Sequence, residues 1–328
     1  MSSNKYILEM QMARGLGILF VTFGHSVPLE VAYPSIFNFI YSFHMPLFFF
    51  LSGFFASKLL NIRSINDWIS TTSKSTIRLL IPYITISLSY GLIKYFIPQI
   101  VKRPFLWQDF LFIITVYPLR NPALFLWFIY LVIIMRIITP IIPKINPWLL
   151  FLFLLFFQFI PIDYELFAIG WFLNYFIYYF IGIQISLLKD NFIIFMKKRW
   201  HMFAYLAIFS ISYMLSIYLE YPILKFITAC AGSLFIISLC FGYSRFLPEN
   251  ILEKFGYYSL QIYLLQFFFI FPFAYLLQKL SISADFIIIG TFAVGLICPI
   301  LISVYIFPKS KVLSLLYGGL DQFSNIKR

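Results

Sequence analysis

Long apolar stretches, interrupted at intervals by Pro, Gly and charge, run the length of the 328-residue chain. A helix of about 20 apolar residues crosses a hydrocarbon core roughly 30 Å thick, so each stretch reads as a membrane span. The pattern predicts about ten of them. They lie near residues 6–27, 36–57, 79–100, 121–142, 148–162, 170–188, 201–219, 222–244, 259–278 and 284–307. The fifth is the weakest, because Pro147 and Pro161 bracket only about 15 residues. The stretch from Pro104 to Pro118 is apolar with scattered charge and suits the membrane interface better than a crossing. The first run has one Lys ahead of it, as a secretory signal does, but Glu9 and Arg14 interrupt it and no small-x-small cleavage site follows. It reads as a retained first helix. No internal period suggests a repeat architecture.

Composition agrees with this reading. Apolar residues make up 62% of the chain and charged residues only 11%, a ratio that no water-exposed surface of this size accommodates. The expected fold is all-α and polytopic, with a single transmembrane domain over residues 1–328 and no appended soluble domain. A net charge of +12 raises the question of nucleic acid, but a polyanion binder gathers its cations on one soluble face. Here they are dispersed among short connections, which excludes nucleic acid as a partner and leaves the cations to set topology. With the N-terminus inside, the inner segments hold 16 of the 24 Lys and Arg, the outer segments 6, and Arg14 and Arg136 fall within runs. Both termini are therefore expected in the cytoplasm. Cys230, Cys240 and Cys298 all lie within apolar runs and imply no disulfide framework.

Ionisable side chains inside a span cost about 2.5 to 3.5 kcal/mol each on insertion scales, so each requires a reason. Arg14 and His25 are eleven residues apart. At 100° per residue that is three turns plus about 20°, which puts both on one helix face, separated by about 16 Å along the axis. One face thus offers a cation suited to phosphate and an imidazole able to take a proton near neutral pH. Taken singly, Arg14 also reads as snorkelling to the interface and His25 as closing a loop.

The residues around them carry a resemblance. Glu9 to Ser26 reads EMQMARGLGILFVTFGHS and Phe43 to Phe55 reads FHMPLFFFLSGFF. RLLIPY at Arg78 to Tyr83, LWFIYLVI at Leu126 to Ile133 and SLQIYLL at Ser259 to Leu265 follow in order. The chain resembles the membrane acyltransferase 3 family, in particular its fucose 4-O-acetylase-like branch of polysaccharide O-acetyltransferases. The resemblance implies transfer of an acyl group, usually acetyl, from cytoplasmic acyl-CoA to a sugar hydroxyl of a surface polysaccharide or its lipid-linked precursor, in a bacterial inner membrane. It implies that His25 is catalytic and that Arg14 contacts the CoA donor. Two departures stand out. The family often carries Arg-x-x-Arg before its third helix, and the nearest match here is Lys74 and Arg78, which still share a helix face able to hold phosphate. The family often ends a late helix motif in Tyr-Leu-x-His, and here Gln266 holds the His position.

A sugar hydroxyl attacks a thioester only with a base in reach, and imidazole is the best matched side chain at neutral pH. Whether His25 activates the sugar directly or first carries the acyl group is open. His44, early on the second span, either packs through a backbone hydrogen bond or serves the site, by orienting His25 or binding the sugar. Ser52 and Gly53 are expected to permit close helix packing. His201 follows a basic cluster and is expected at the interface. Trp127 reads as an interface aromatic or a sugar-stacking surface. Asp163 and Glu165 read as solvated or as contacts to the acceptor. Two histidines without neighbouring Asp, Glu or Cys make a poor metal set, so no metal is expected, and no permanently bound cofactor. The partners expected are acyl-CoA, the glycan acceptor and membrane lipid. The rival function is a lipid-linked glycan exporter or flippase, with a glycan polymerase third; neither consumes acyl-CoA.

Overall fold

In hydrocarbon, every backbone N–H and C=O must find its partner within the protein, which leaves helices as the economical way to thread an apolar chain through lipid. The computed structural model describes residues 2–61, 64–97, 107–160 and 162–319. It is 86% helical and shows no strand among the described residues. The α-helices in chain order are α1 (Ser2–Gly24), α2 (Leu29–Ala32), α3 (Pro34–Tyr41), α4 (His44–Ala56), α5 (Ile65–Phe96), α6 (Phe110–Thr115), α7 (Trp127–Ile138) and α8 (Pro147–Phe156). They continue as α9 (Ile169–Leu187), α10 (Lys189–Met196), α11 (Arg199–Leu219), α12 (Pro222–Tyr243), α13 (Glu249–Tyr257), α14 (Ser259–Lys279), α15 (Ala284–Tyr305) and α16 (Lys311–Leu316).

Eight helical segments among the described residues are long and apolar enough to cross a membrane. They coincide with the second, third, fourth and sixth to tenth expected runs. The fifth run forms α8, which stops at Phe156 after 10 residues and is too short to cross. The first run is the 23-residue α1. Of the stretch expected at the interface, Pro104 lies outside the described residues, and only a helical turn at Trp107–Asp109 and the short α6 follow.

Local chemistry sets the helix starts. Pro34, Pro147 and Pro222 occupy first-turn positions, where a missing N–H costs nothing. Asn146 accepts from the N–H groups of Trp148 and Leu149, and Ser64 from that of Asp67, so each cap satisfies donors the helix itself leaves open. Buried hydroxyls mostly bond back one turn. Ser87, Thr139, Ser233 and Thr291 donate to the carbonyls of Tyr83, Met135, Ala229 and Ile287 at 2.7 to 2.8 Å.

The chain forms two compact units, the division falling inside α9. One comprises Met1–Phe55 and Tyr178–Ile306. Here α1 packs against α12, α13, α14 and α15, and the core it shares with α4 and α12 includes Met10, Ala13, Leu47, Leu51, Ile237 and Cys240. Glycines set the closest approaches. A Cβ at Gly15 would collide with the carbonyl of Leu252, and one at Gly256 with that of Gln11, so α1 and α13 touch backbone to backbone. The same reciprocity joins α4 to the later part of α9, where Gly53 meets the carbonyl of Tyr179 and Gly182 that of Phe50. Such contacts are how helices associate where the hydrophobic effect gives no drive between them.

The other unit comprises Ala56–Ile177 and Phe307–Arg328. In it α5 packs on α7 and α16, around a closed polar network. Asn121 donates to the Tyr83 hydroxyl at 3.2 Å and to Ser87 Oγ at 2.8 Å, while its own oxygen accepts from Ala123 N–H at 2.8 Å. Tyr83 in turn donates to the carbonyl of Ile114 at 2.6 Å. Each group has a partner, so the network fixes α5 against the segment before α7 and needs nothing from outside.

Candidate functional site

The site grows from α1. Its contact with α13 at Gly15 and Gly256 fixes its depth, and Arg14, next to that contact, lays its guanidinium over the Phe55 ring of α4, 4.3 Å from the ring centroid. A guanidinium on an aromatic face is held in place by attraction to the ring's electrons. Eleven residues on, just past the end of α1, His25 is half-buried. The Arg14 to His25 rise of about 16 Å read from periodicity follows from the helix being continuous between them.

Aromatic rings wall His25. The Phe267 ring of α14 lies 4.7 Å from the imidazole and the Tyr41 ring 6.4 Å away, edge-on. Gly24 makes room for Tyr41, since a Cβ there would press on its ring. Tyr41 then packs edge-on against His44 at 4.6 Å, so one ring touches both histidines. Both expected histidines therefore belong to one cluster. They differ in freedom. His44 is 1% exposed and its Nδ1–H donates to the carbonyl of Ile40 at 2.8 Å, which fixes its tautomer and leaves Nε2 as its acceptor. That bond is the backbone contact expected of a packing histidine.

Gln266 of α14, the residue before Phe267, is fully buried. Its Nε2 donates to the carbonyl of Tyr263 at 3.4 Å. Among the described residues, its Oε1 has no partner in good hydrogen-bond geometry, and neither has His25 Nδ1 or the hydroxyl of Thr22 one turn earlier. Most buried hydroxyls described in this chain bond back to their own helix, so Thr22 departs from that pattern. Outside the spans, Tyr33 donates to Asp285 Oδ1 at 2.6 Å, which ties the α2–α3 corner to the start of α15. The same carboxylate pushes the Tyr33 phenol above its ordinary range, by the hydrogen bond first and by charge second.

Lys74, Arg78, Trp127, Asp163 and Glu165 lie in the other unit, and His201 in the same unit as His25. Arg78 is exposed on α5; Lys74 is on the same helix, and its side chain lies outside the described residues. Trp127 opens α7 in an aromatic cluster, 4.4 Å from Trp171 and 5.2 Å from Tyr175. Glu165 is engaged by Arg120, whose Nε donates to Oε2 at 2.7 Å, and Asp163 is exposed. His201 is buried in the first turn of α11, stacked on Phe195 at 3.7 Å and donating through Nδ1 to the Phe195 carbonyl at 2.6 Å. Phe55, Tyr41 and Phe267 were not foreseen, because aromatic residues are so abundant here that none stands out. Gln266 carried a signal of its own, an amide in the middle of an apolar span.

Residues 7–307 match the Acyltransferase domain family. The chain belongs to the acyltransferase 3 family. It is a membrane acyltransferase, and the match covers Arg14, His25, His44 and Gln266 in one continuous alignment. No curated protein and no solved structure matches the chain.

Proposed function

We propose that this acyltransferase moves an acyl group, acetyl in the first instance, from acyl-CoA to a sugar hydroxyl of a surface polysaccharide or its lipid-linked precursor, in a bacterial inner membrane. The observation that carries the reading is α1 itself, with a cation held on an aromatic face at one level and a half-buried imidazole walled by Phe267 and Tyr41 further along. Arg14 takes the phosphate end of the donor. An extended pantetheine arm then brings the thioester to the level of His25.

The chemistry is general-base transfer. His25 Nε2 accepts the proton of the sugar hydroxyl as that oxygen attacks the thioester carbonyl, and the C–S bond breaks as the new C–O ester bond forms. The imidazolium returns its proton to the departing thiolate, so free CoA leaves as the thiol and His25 is regenerated. Lys74 and Arg78 enter this reading on their charge alone, as further phosphate contacts, and Trp127 with Asp163 and Glu165 as contacts to the sugar. The charge distribution, 16 inner against 6 outer cations, supports placing the donor side in the cytoplasm.

Deleting the gene and weighing the host's surface glycan by mass spectrometry tests the reaction. A loss of one acetyl mass per repeat, restored by the wild-type gene and not by His25→Ala, is the expected result. A glycan of unchanged mass and reduced amount would favour export instead.

A further inference from the structure

Two buried atoms at the site lack partners, and they are complementary. His25 Nδ1 can donate and Gln266 Oε1 can accept. The amide group of Gln266 is already oriented, because its nitrogen donates to the Tyr263 carbonyl one turn back, which commits its oxygen to the other side. Phe267, the next residue on α14, has its ring 4.7 Å from the His25 ring, so α14 delivers both the wall and the amide to the same imidazole. His44, with Nδ1 spent on Ile40, has its Nε2 as the other acceptor in the cluster, and substitution of Gln266 alone separates the two.

We propose that Gln266 is the positioning residue of His25: its carboxamide oxygen accepts from His25 Nδ1–H and so holds the tautomer whose bare Nε2 receives the acceptor hydroxyl's proton. The proposal rests on the reading of His25 as base. A neutral imidazole has one donor and one acceptor nitrogen, and which is which depends on the partner the donor finds. Without Gln266 the proton is free to sit on Nε2, where it blocks catalysis. A carboxamide can orient the ring as a carboxylate does in other acyl-transfer sites, but it adds no charge. That suits a wall of Phe and Tyr, in which a lone carboxylate would be costly to bury.

The chain has only 3 histidines, so the full-length protein labelled with 15N-histidine in detergent gives a readable set of imidazole nitrogens. Gln266→Leu should move His25 away from the Nδ1–H tautomer while the His201 signals stay in place. Transfer from acetyl-CoA to the host's membrane glycan fraction should fall at least about tenfold in kcat with the KM for acetyl-CoA unchanged. Gln266→Met, uncharged and close in shape but without the acceptor oxygen, should reproduce both effects, and it carries the test if the leucine variant does not fold. Unchanged His25 nitrogens in Gln266→Leu overturn the proposal, as does a tautomer shift with no loss of rate. A His25→Ala protein that still transfers overturns the base reading instead, and the two failures are distinguishable because the nitrogen signals do not depend on turnover.

Discussion

At the scale of single residues, a few kcal/mol decide each role, and the environment of the side chain says which role it has. Arg14 and His25 share a helix face, yet one is held over an aromatic ring and the other keeps an open ring nitrogen. Replacing Arg14 by Gln should raise the KM for acetyl-CoA about tenfold or more with a smaller change in kcat, because a contact to phosphate made in both ground and transition states is lost. Arg14→Lys should recover part of that, as a point charge over Phe55 without the planar fork. An unaltered KM for both variants in initial-rate measurements would remove Arg14 from the donor site. His44→Ala is expected to cost stability before chemistry. It deletes a buried ring that bonds Ile40 and packs on Tyr41, so the melting temperature should drop while the residual rate stays well above that of His25→Ala. The equal-face geometry of Arg14 and His25 was legible in the sequence because helical periodicity fixes relations within one element. The meeting of His25 with Gln266 was not, since a partner 241 residues away in sequence is chosen by packing and leaves no local trace.

At the scale of elements, hydrophobic runs predict helices well here because lipid removes the alternatives: a long apolar run has nothing to become but a span. The exception is instructive. The run after Pro147 had the composition of a span, but α8 ends after 10 residues, and length, not apolarity, is what a crossing requires. Glycines then set which helices touch. Gly256→Val should be severely damaging, because the new side chain must displace the backbone of α1 at Gln11, and overpacking of this kind costs typically 1 to 3 kcal/mol or more. Gly242 is the control, since a Cβ there would sit 3.9 Å from Arg199. Gly242→Ala should be neutral or slightly stabilising, by up to about 1 kcal/mol from helix propensity. Thermal unfolding of the two purified proteins separates them, and equal melting temperatures would show that the α1–α13 contact does not hold α1 in place.

At the scale of the whole molecule, the excess of cations in alternate connections predicts that both termini face the cytoplasm. An enzymatic reporter active only in the periplasm, fused after Arg328, should stay silent. Activity from that fusion would invert the orientation and put the donor side on the wrong face of the membrane. Topology of this kind is written in the sequence as a tally of charges. The two compact units are not, because they interleave distant stretches of chain, and an apolar run carries no mark of which neighbours it will choose.

The role of His25 in acyl transfer is decided by one comparison. Wild-type and His25→Ala proteins, purified to equal yield and equal thermal stability, are assayed for free CoA released and acetyl ester formed from acetyl-CoA and the host's membrane glycan fraction. The alanine protein should retain its KM for acetyl-CoA and lose between about 10² and 10⁴-fold in kcat, the contribution of a positioned general base. Transfer by His25→Ala within a few-fold of wild type would contradict the account.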